Sequence, residues 1–212
     1  MGQTNQINHK DWTGGYHSVY KTLGASNHTL SERADGDYYA TDPVAIDRLL
    51  EVYDVPQYVW ECACGAGHLS KRLIEKGRTV FSSDLADRGY GHVRMDFLQE
   101  KAYPNICDGE CCILTNPPYK YATEFIEHSL DVLPKGCPAI FLLKTTALEG
   151  KGRYERLFKK GYLHNVFQFT DRLLCAKNGN FLRMKEGGGS AVSYAWFVFK
   201  KERCEAPKIG WV

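Results

Sequence analysis

Cys111-Cys112-Ile113-Leu114-Thr115 is followed directly by Asn116-Pro117-Pro118-Tyr119. The apolar run predicts a buried strand, and the two prolines must end it because neither can donate a hydrogen bond to a neighbouring strand. Ligands of open α/β sheets bind at the carboxyl ends of the strands, so an amide and an aromatic ring there indicate a candidate active site. Taken alone, however, the tetrapeptide is more typical of a proline-stopped strand followed by a loop tyrosine.

Composition limits the class of protein. A chain of 212 residues suits one domain with a sizeable core. No stretch approaches the ~18 to 20 consecutive apolar residues of a membrane span, and Met1 to Lys10 has no apolar signal-peptide core, so we expect a soluble, cytoplasmic protein without a membrane partner. The eight cysteines are expected to be reduced and mostly buried. Their spacing lacks the paired knuckles of a zinc site, so no metal is expected.

The two ends of the chain differ from its middle. Residues 151–212 hold 13 Lys and Arg against 5 Asp and Glu, which is compatible with a polyanionic partner or with an ordinary solvated surface. Residues 1–37 are rich in polar residues and glycine, and we interpret them as a loosely structured arm. This arm is either a disordered tail or a segment that orders on nucleic acid through residues such as Lys21, His28 and Arg33.

Upstream of the tetrapeptide, the chain alternates strands and helices. Thr41 or Asp42 followed by Pro43 predicts the start of a helix. A strand at Tyr58–Trp60 then leads into the small-residue loop from Glu61 to Gly67 and a helix that ends at Gly77, which is a first βα unit. Further strands are predicted at Thr79–Ser83 and His92–Met95.

Both of these later strands end in acidic residues. Asp84 stands at the tip of one strand, where an acid accepts hydrogen bonds from ribose in nucleoside-binding sheets or simply caps the next helix. Asp96 and Phe97 follow the other strand, and together they suit an adenine amine and its ring.

Downstream, Phe125–Leu133 predicts an amphipathic helix and Pro138–Leu143 a central parallel strand. A basic helix over residues 151–161, a strand at Val166–Phe169, a loop at Leu173–Gly189 and a final strand at Ala191–Phe199 complete the pattern. We therefore predict an α/β fold with a seven-stranded, mostly parallel sheet, an antiparallel edge strand and helices on both faces.

With these motifs in series, residues 38–200 resemble the S-adenosylmethionine-dependent DNA adenine-N6 methyltransferases, which have a Rossmann-like fold. Glu61-Cys62-Ala63-Cys64-Gly65-Ala66-Gly67 is similar to the family's cofactor loop, with Cys62 where the family usually has proline. Tyr39 to Pro43 precedes this loop, as in the gamma order of motifs. The whole chain looks like the small stand-alone methylases of bacteriophages and prophages, with residues 38–212 as one catalytic domain that lacks a separate target-recognition domain.

The resemblance implies S-adenosylmethionine as cofactor, S-adenosylhomocysteine as product and DNA as the partner of a monomer or homodimer. In the cofactor half it implies that Glu61 binds the methionine amino group, Thr41 its carboxylate, Asp84 the ribose, and Asp96 and Phe97 the adenine. The remaining residues implied to bind the cofactor are Tyr39, Cys62, Gly65 and Gly67.

For catalysis, the resemblance implies Asn116, Pro117, Pro118 and Tyr119. The Asn116 side-chain oxygen and the Pro117 carbonyl would accept the hydrogens of the target amine. Tyr119 would stack on the flipped base, and Phe181 is a weaker candidate for the base's opposite face.

Other readings stay open. The same acceptors suit an RNA adenine, an RNA guanine amine or a protein glutamine amide, although the Glu-Cys-Ala-Cys loop differs from the Asp-x-Gly-x-Gly form usual in glutamine methylases. A non-catalytic nucleic-acid-binding homologue should have lost Asn116, Tyr119, Gly65 or Asp84, and this chain retains all four.

Overall fold

The structure, a computed structural model, describes residues 39–104, 110–177, 181 and 192–212. The predicted N-terminal arm, residues 1–37, and most of the predicted loop at Leu173–Gly189 lie outside the described residues.

The regular elements alternate along the chain as the sequence predicts. The helices are α1 (Val44–Val52), α2 (His68–Glu75), α3 (Ala122–Val132) and the short α4 (Lys151–Arg153), which continues as a π-helix over Tyr154–Phe158. The strands are β1 (Tyr39–Thr41), β2 (Tyr58–Glu61), β3 (Thr79–Asp84), β4 (Val93–Arg94), β5 (Cys111–Thr115), β6 (Ala139–Lys144), β7 (Leu163–Gln168), β8 (Cys175–Lys177), β9 (Tyr194–Phe199) and β10 (Lys208–Trp211).

Eight of these strands form the main sheet, in the order β10-β7-β9-β6-β5-β2-β3-β4. All neighbours in it are parallel except β9, which runs antiparallel to both β6 and β7. The α/β class with a mostly parallel sheet is therefore confirmed. The order turns between β2 and β5, and at such a point the carboxyl ends of parallel strands leave a crevice for a ligand.

Strand number and position differ from the prediction in two respects. The main sheet has eight strands instead of seven because β10 adds an edge beside β7. The antiparallel strand β9 lies inside the sheet, between β6 and β7, and is not at the edge. The Lys-Ile-Gly-Trp sequence of β10 does not by itself predict a strand. The strand is stabilised by its pairing with β7 and by the hydrogen bond from the Val212 N–H to the Gln168 carbonyl (2.9 Å).

Alternation along β5 fills the core on both faces of the sheet. Cys112 and Leu114 point into one buried cluster with α1 and α2, whereas Cys111 and Ile113 point into a second cluster with α3. All five residues of β5 are buried, as expected for a central strand covered by helices on both sides. This core fixes the end of β5, and therefore Asn116, against the rest of the sheet.

A separate two-stranded ribbon lies apart from the main sheet. Strands β1 and β8 pair antiparallel, with Tyr39 opposite Lys177 and Thr41 opposite Cys175. The Asp42 N–H extends the pairing by donating to the Leu174 carbonyl (3.0 Å). Three-residue strands are too short to show periodicity, so the sequence predicts neither of them. Among the described residues, the helices are all too short or too polar to cross a membrane.

Candidate functional site

A cavity of about 460 Å³ opens at the carboxyl ends of β2, β3 and β5. It lies where the strand order turns, and its volume is in the range of about 300 to 1,000 Å³ typical of small-molecule sites. Its wall brings together most of the residues that the sequence singles out: Tyr39, Thr41, Glu61, Cys62, Asp84, Asp96, Phe97, Asn116, Pro117, Pro118 and Tyr119. Of the described candidates, Gly65, Gly67 and Phe181 are not part of this wall.

Asn116 is held through its amide nitrogen. The nitrogen donates to the Thr41 hydroxyl (2.9 Å) and makes a longer contact with the Tyr39 carbonyl (3.4 Å). The side-chain oxygen of Asn116 is shielded from solvent and has no hydrogen-bond partner among the described residues. A buried acceptor without a partner costs about 1 to 3 kcal/mol, so this oxygen favours a ligand that donates a hydrogen bond.

Tyr119 begins a short 3₁₀ turn over Tyr119–Tyr121, and its ring belongs to an aromatic cluster. It lies 6.4 Å from the Tyr39 ring in a stacked arrangement and 6.2 Å from the Tyr194 ring. The Lys144 ammonium lies over the ring at 4.8 Å from its centre. A base that stacks on Tyr119 must therefore take the part of the ring that Lys144 leaves open, or displace the ammonium.

Glu61 ends β2 as a buried carboxyl group, 2% exposed, on the cavity wall. It accepts a hydrogen bond from the Ser70 hydroxyl, which also lies 2.6 Å from the Ser82 hydroxyl. Burial raises the pKa of Glu61 to about 8, against the opposing effect of the Ser70 hydrogen bonds. No cation of the described residues forms an ion pair with it. The group thus suits a ligand that brings its own positive charge.

Asp84, at the tip of β3, also organises the loop after β2. One carboxylate oxygen accepts from the Gly65 N–H (2.8 Å) and the other from the Ala86 N–H (2.9 Å). The sequence gives two alternatives for this residue, a ribose ligand or a helix cap. The next element after β3 is the strand β4, so Asp84 caps no helix and instead closes a local turn at Ala86. Each oxygen keeps a further lone pair, so the carboxylate can still accept a ligand hydroxyl.

Only glycine fits at position 67, because the Tyr90 ring fills the space that a side chain would occupy. Gly67 has a φ of +76°, in the left-handed region, and a Cβ at this position would collide with the Tyr90 ring. The Lys71 ammonium lies 4.8 Å from the centre of the same ring. The requirement for glycine at this position therefore comes from the packing of the Tyr90 ring and does not depend on a ligand.

Asp96 and Phe97 follow β4. The Asp96 carboxylate caps the turn at Phe97–Gln99 through the Leu98 N–H (3.1 Å). Phe97 is 2% exposed and packs edge-on against Trp60 (5.1 Å) and His128 (4.9 Å). Its ring is therefore mainly a core residue that presents part of its surface to the cavity.

Several residues of the wall are not indicated by any sequence motif: His68, Leu69, Leu85, Ala86, Arg88, Met95, Leu98, Lys120, Tyr121 and Phe125. Leu85 follows Asp84 directly in the sequence and is 62% exposed in the structure. Its place immediately after an acidic strand tip is the one signal in the sequence that could have indicated it.

Phe181, the candidate for the opposite face of the base, packs against His68. Its ring lies 5.5 Å from the His68 ring in an edge-to-face arrangement. Burial lowers the pKa of His68, which therefore favours the neutral imidazole. Because His68 begins α2 and lines the cavity, Phe181 reaches the site through His68.

The predicted basic helix over residues 151–161 is shorter, and much of its charge is already neutralised. Arg156 bonds Glu124 and Glu127, and Lys159 bonds Glu155 at 2.8 Å. Arg153 donates to the carbonyls of Ala147 and Glu149 (2.8 and 2.6 Å). These cations are less available to a polyanion than the sequence suggests, because Arg156 and Lys159 pair with acids and Arg153 is held by backbone carbonyls.

The described cysteines are distributed over separate elements of the fold. Seven cysteines are described, and most of them are buried. Within the described ranges, no three His, Cys, Asp or Glu side chains are grouped closely enough to hold a metal ion.

Neither a protein-family model nor a curated protein matches the sequence. Solved structures do match. A Listeria monocytogenes protein assigned to the class I S-adenosylmethionine-dependent methyltransferases aligns with a TM-score of 0.51 at 10% identity, covering 92% of this chain and 71% of its own. A Streptococcus thermophilus protein assigned as a hemolysin aligns with a TM-score of 0.51 at 10% identity, covering 78% of this chain and 67% of its own.

The chain has the class I methyltransferase fold. The M protein of the type I restriction enzyme EcoKI is also similar, with a TM-score of 0.47 at 13% identity, over 78% of this chain and 44% of its own. At such identities the likeness concerns the fold, because proteins with very different activities share it. The activity therefore depends on the residues of the site.

Proposed function

We propose that this protein transfers a methyl group from S-adenosylmethionine to the exocyclic N6 amine of a flipped-out adenine in DNA. The observation that carries the proposal is the Asn116 amide, whose nitrogen is held by β1 and whose buried oxygen lacks a partner. An acceptor fixed in this way at a strand end suits the hydrogens of a planar amine. The fold and the Asn-Pro-Pro-Tyr sequence support the same assignment.

The cavity fits the cofactor by its chemistry. The buried Glu61 carboxylate would hold the ammonium of the methionine part, since a cation relieves the cost of ionising a carboxyl group away from water. Asp84 would accept a ribose hydroxyl through the lone pairs that Gly65 and Ala86 leave available. Asp96, Leu85 and Met95 line the part of the wall that we assign to the adenine. When bound, S-adenosylmethionine supplies an electrophilic methyl group.

The protein's own residues act on the target nitrogen. Its lone pair is delocalised into the adenine ring, so the free amine is a poor nucleophile. The Asn116 side-chain oxygen and the Pro117 carbonyl would accept the two amine hydrogens and draw the nitrogen towards a tetrahedral geometry, with its lone pair aimed at the methyl group. Because both acceptors belong to a turn stiffened by prolines, catalysis rests on positioning and electrostatics.

Access to the target requires two changes. The target atom of an adenine cannot be reached inside a duplex, so the base must leave the stack. The Asn116 oxygen is shielded from solvent, so the side chains around it must also part when the base enters. The ring of Tyr119 would then receive the base, with stacking worth about 1 to 3 kcal/mol.

The proposal is tested by incubating the protein with methyl-labelled S-adenosylmethionine and, separately, duplex DNA, structured RNA and a protein mixture. The recovered polymers are digested, and the labelled nucleoside or residue is identified by mass spectrometry. We expect N6-methyladenine from DNA. Label in RNA alone would show that the substrate is an RNA amine, and label in glutamine would show that it is a protein amide. Absence of label in all three would reject methyl transfer to a planar nitrogen.

A further inference from the structure

The two contacts of the Asn116 nitrogen both come from β1, the short strand that precedes α1. The contact with the Tyr39 carbonyl (3.4 Å) decides the orientation of the amide, because a carbonyl only accepts hydrogen bonds and must face nitrogen. The contact with the Thr41 hydroxyl is shorter, at 2.9 Å, and supplies the stronger restraint. Together they turn the Asn116 oxygen away from β1.

We propose that Thr41 is a positioning residue for methyl transfer, whose hydroxyl holds the Asn116 amide so that its oxygen faces the target amine. This inference rests on the proposed function and deepens it. It also changes the role that the family resemblance implies for Thr41, which is contact with the methionine carboxylate. In the structure the Thr41 hydroxyl instead serves the catalytic turn.

The hydroxyl is well placed for this task because its own position is fixed. Thr41 is 3% exposed, and its backbone pairs with Cys175 of β8. The adjacent Asp42 is tied by its N–H to the Leu174 carbonyl at 3.0 Å. Threonine is stiff about χ1 because its Cβ is branched, so little entropy is lost in holding the hydroxyl. The restraint on Asn116 is thus anchored in the ribbon, outside the main sheet that carries Asn116.

The Cys175 thiol also orients the hydroxyl proton of Thr41. Burial raises the pKa of Cys175 to about 12, and the hydroxyls of Tyr194, Thr41 and Tyr119 are close enough to oppose that rise. The Thr41 O–H can therefore point towards the sulfur while its oxygen accepts from Asn116. A hydroxyl that already donates its proton to the sulfur offers only its oxygen to Asn116. It therefore selects the amide nitrogen over the amide oxygen better than a freely rotating hydroxyl would.

The test compares Thr41→Val, Thr41→Ser and a matched control, Thr115→Val. Thr115 directly precedes Asn116 and is fully buried, but its hydroxyl has no hydrogen-bond partner among the described residues. Valine removes a hydroxyl at nearly constant shape in both cases. We expect Thr41→Val to lower kcat about ten-fold, the value of one hydrogen bond converted to rate. Thr41→Ser should recover most of that loss, and Thr115→Val should keep the wild-type rate.

Two further measurements separate positioning from cofactor binding. Calorimetric affinity for S-adenosylhomocysteine should be the same in Thr41→Val and wild type. In an Asn116→Ala background, Thr41→Val should lower the residual rate no further, because the group that it positions is gone. A variant with weakened cofactor affinity and an unchanged kcat would overturn the inference and return Thr41 to the cofactor site.

A structural readout keeps this inference distinct from the proposed function. The side-chain NH₂ resonances of Asn116, identified in ¹⁵N-labelled protein by their loss in Asn116→Ala, should shift and exchange faster with water in Thr41→Val but not in Thr115→Val. If they do so in a protein that methylates nothing, the positioning contact stands and the proposed function fails. If methylation proceeds and neither the resonances nor kcat respond to Thr41→Val, the inference fails and the proposed function survives.

Discussion

The Thr41 hydroxyl accepts a 2.9 Å hydrogen bond from the Asn116 amide across a separation of 75 residues in the chain. The contact joins the strand before α1 to the turn after β5, two segments that belong to separate sheets. A turn that ends a buried strand is already rigid on one side because the core holds it. The bond to Thr41 restrains the Asn116 side chain from the other side.

Removal of the Asn116 side chain should abolish most of the activity. Asn116→Ala deletes the acceptor for the target amine, and loss of one such preorganised group typically costs about 10² to 10³ in kcat. Cofactor affinity should persist, because the residues that we assign to the cofactor are on other strands. Labelled methyl transfer and calorimetry with S-adenosylhomocysteine measure the two effects. Asn165→Ala on β7, away from the cavity wall, is the control, and equal rates in both variants would contradict the mechanism.

Glu61 should make the stability of the cofactor-free protein fall as the pH rises. Its pKa is about 8 in the folded state against an ordinary 4.5, so the folded state binds more protons than the unfolded state between these values. The contribution is full below about pH 4.5 and is lost as the pH rises towards 8. Denaturant unfolding across this window measures it.

Glu61→Gln should flatten that dependence, whereas Glu51→Gln, at an exposed position on α1, should leave it as in wild type. The same burial predicts that a cationic ligand expels the proton from Glu61 at pH 7. Calorimetry with S-adenosylhomocysteine in buffers of different ionisation enthalpy should therefore report proton release in wild type and none in Glu61→Gln. Identical buffer dependence in the two proteins would remove Glu61 from the ammonium site.

Gly67 should tolerate alanine less well than Gly77. Both have a positive φ, so both substitutions cost about 1 to 2 kcal/mol of backbone strain. Gly77 has open space where a Cβ would be, whereas a Cβ at Gly67 meets the Tyr90 ring. Denaturant unfolding should show the larger loss for Gly67→Ala, and adding Tyr90→Ala to it should return the loss to that of Gly77→Ala. Equal losses of unfolding free energy in the two single variants would show that the Tyr90 ring moves aside at little cost.

The salt dependence of DNA binding should identify which cations of the basic segment meet phosphate. Lys151 is exposed, whereas Arg156 is already bonded to Glu124 and Glu127. If Lys151 contacts one phosphate, Lys151→Ala should reduce the slope of log affinity against log salt by about 1, and Arg156→Ala should leave it unchanged. Fluorescence anisotropy with a labelled duplex at several salt concentrations measures both. A flat response in the wild type would argue against a polyanionic substrate.

The sequence predicts the elements whose signal is local. The apolar run of β5 and its two prolines place Asn116 at a strand end, and the small-residue loop after β2 with its acid places Glu61 at another. Parallel strands bring such ends to one edge, so the cavity wall follows from the order of the elements. That is why residues distributed from Tyr39 to Tyr119 meet without any long-range information.

What the sequence does not predict depends on partners distant in the chain. Strand β10 exists because β7 offers it an edge, and β9 enters between β6 and β7 although nothing in its own composition specifies two neighbours. The sequence suggests that the cations of residues 151–161 are available to a polyanion. In the structure, Arg156 forms ion pairs with two acids of α3. Thr41 likewise carries a cap or cofactor signal in the sequence, and its bond to Asn116 is visible only in three dimensions.

The β1–β8 ribbon has a practical consequence for tuning the Asn116 side chain. Thr41 pairs with Cys175 inside the ribbon, and this pairing is separate from those of the eight-stranded sheet. A substitution in β8 can therefore change the setting of Thr41, and through it the Asn116 amide, without altering any pairing of the main sheet. Libraries that vary Cys175 and Ala176, and keep Tyr39 to Thr41 constant, would adjust how firmly the amide is held while the sheet that carries Asn116 stays unchanged.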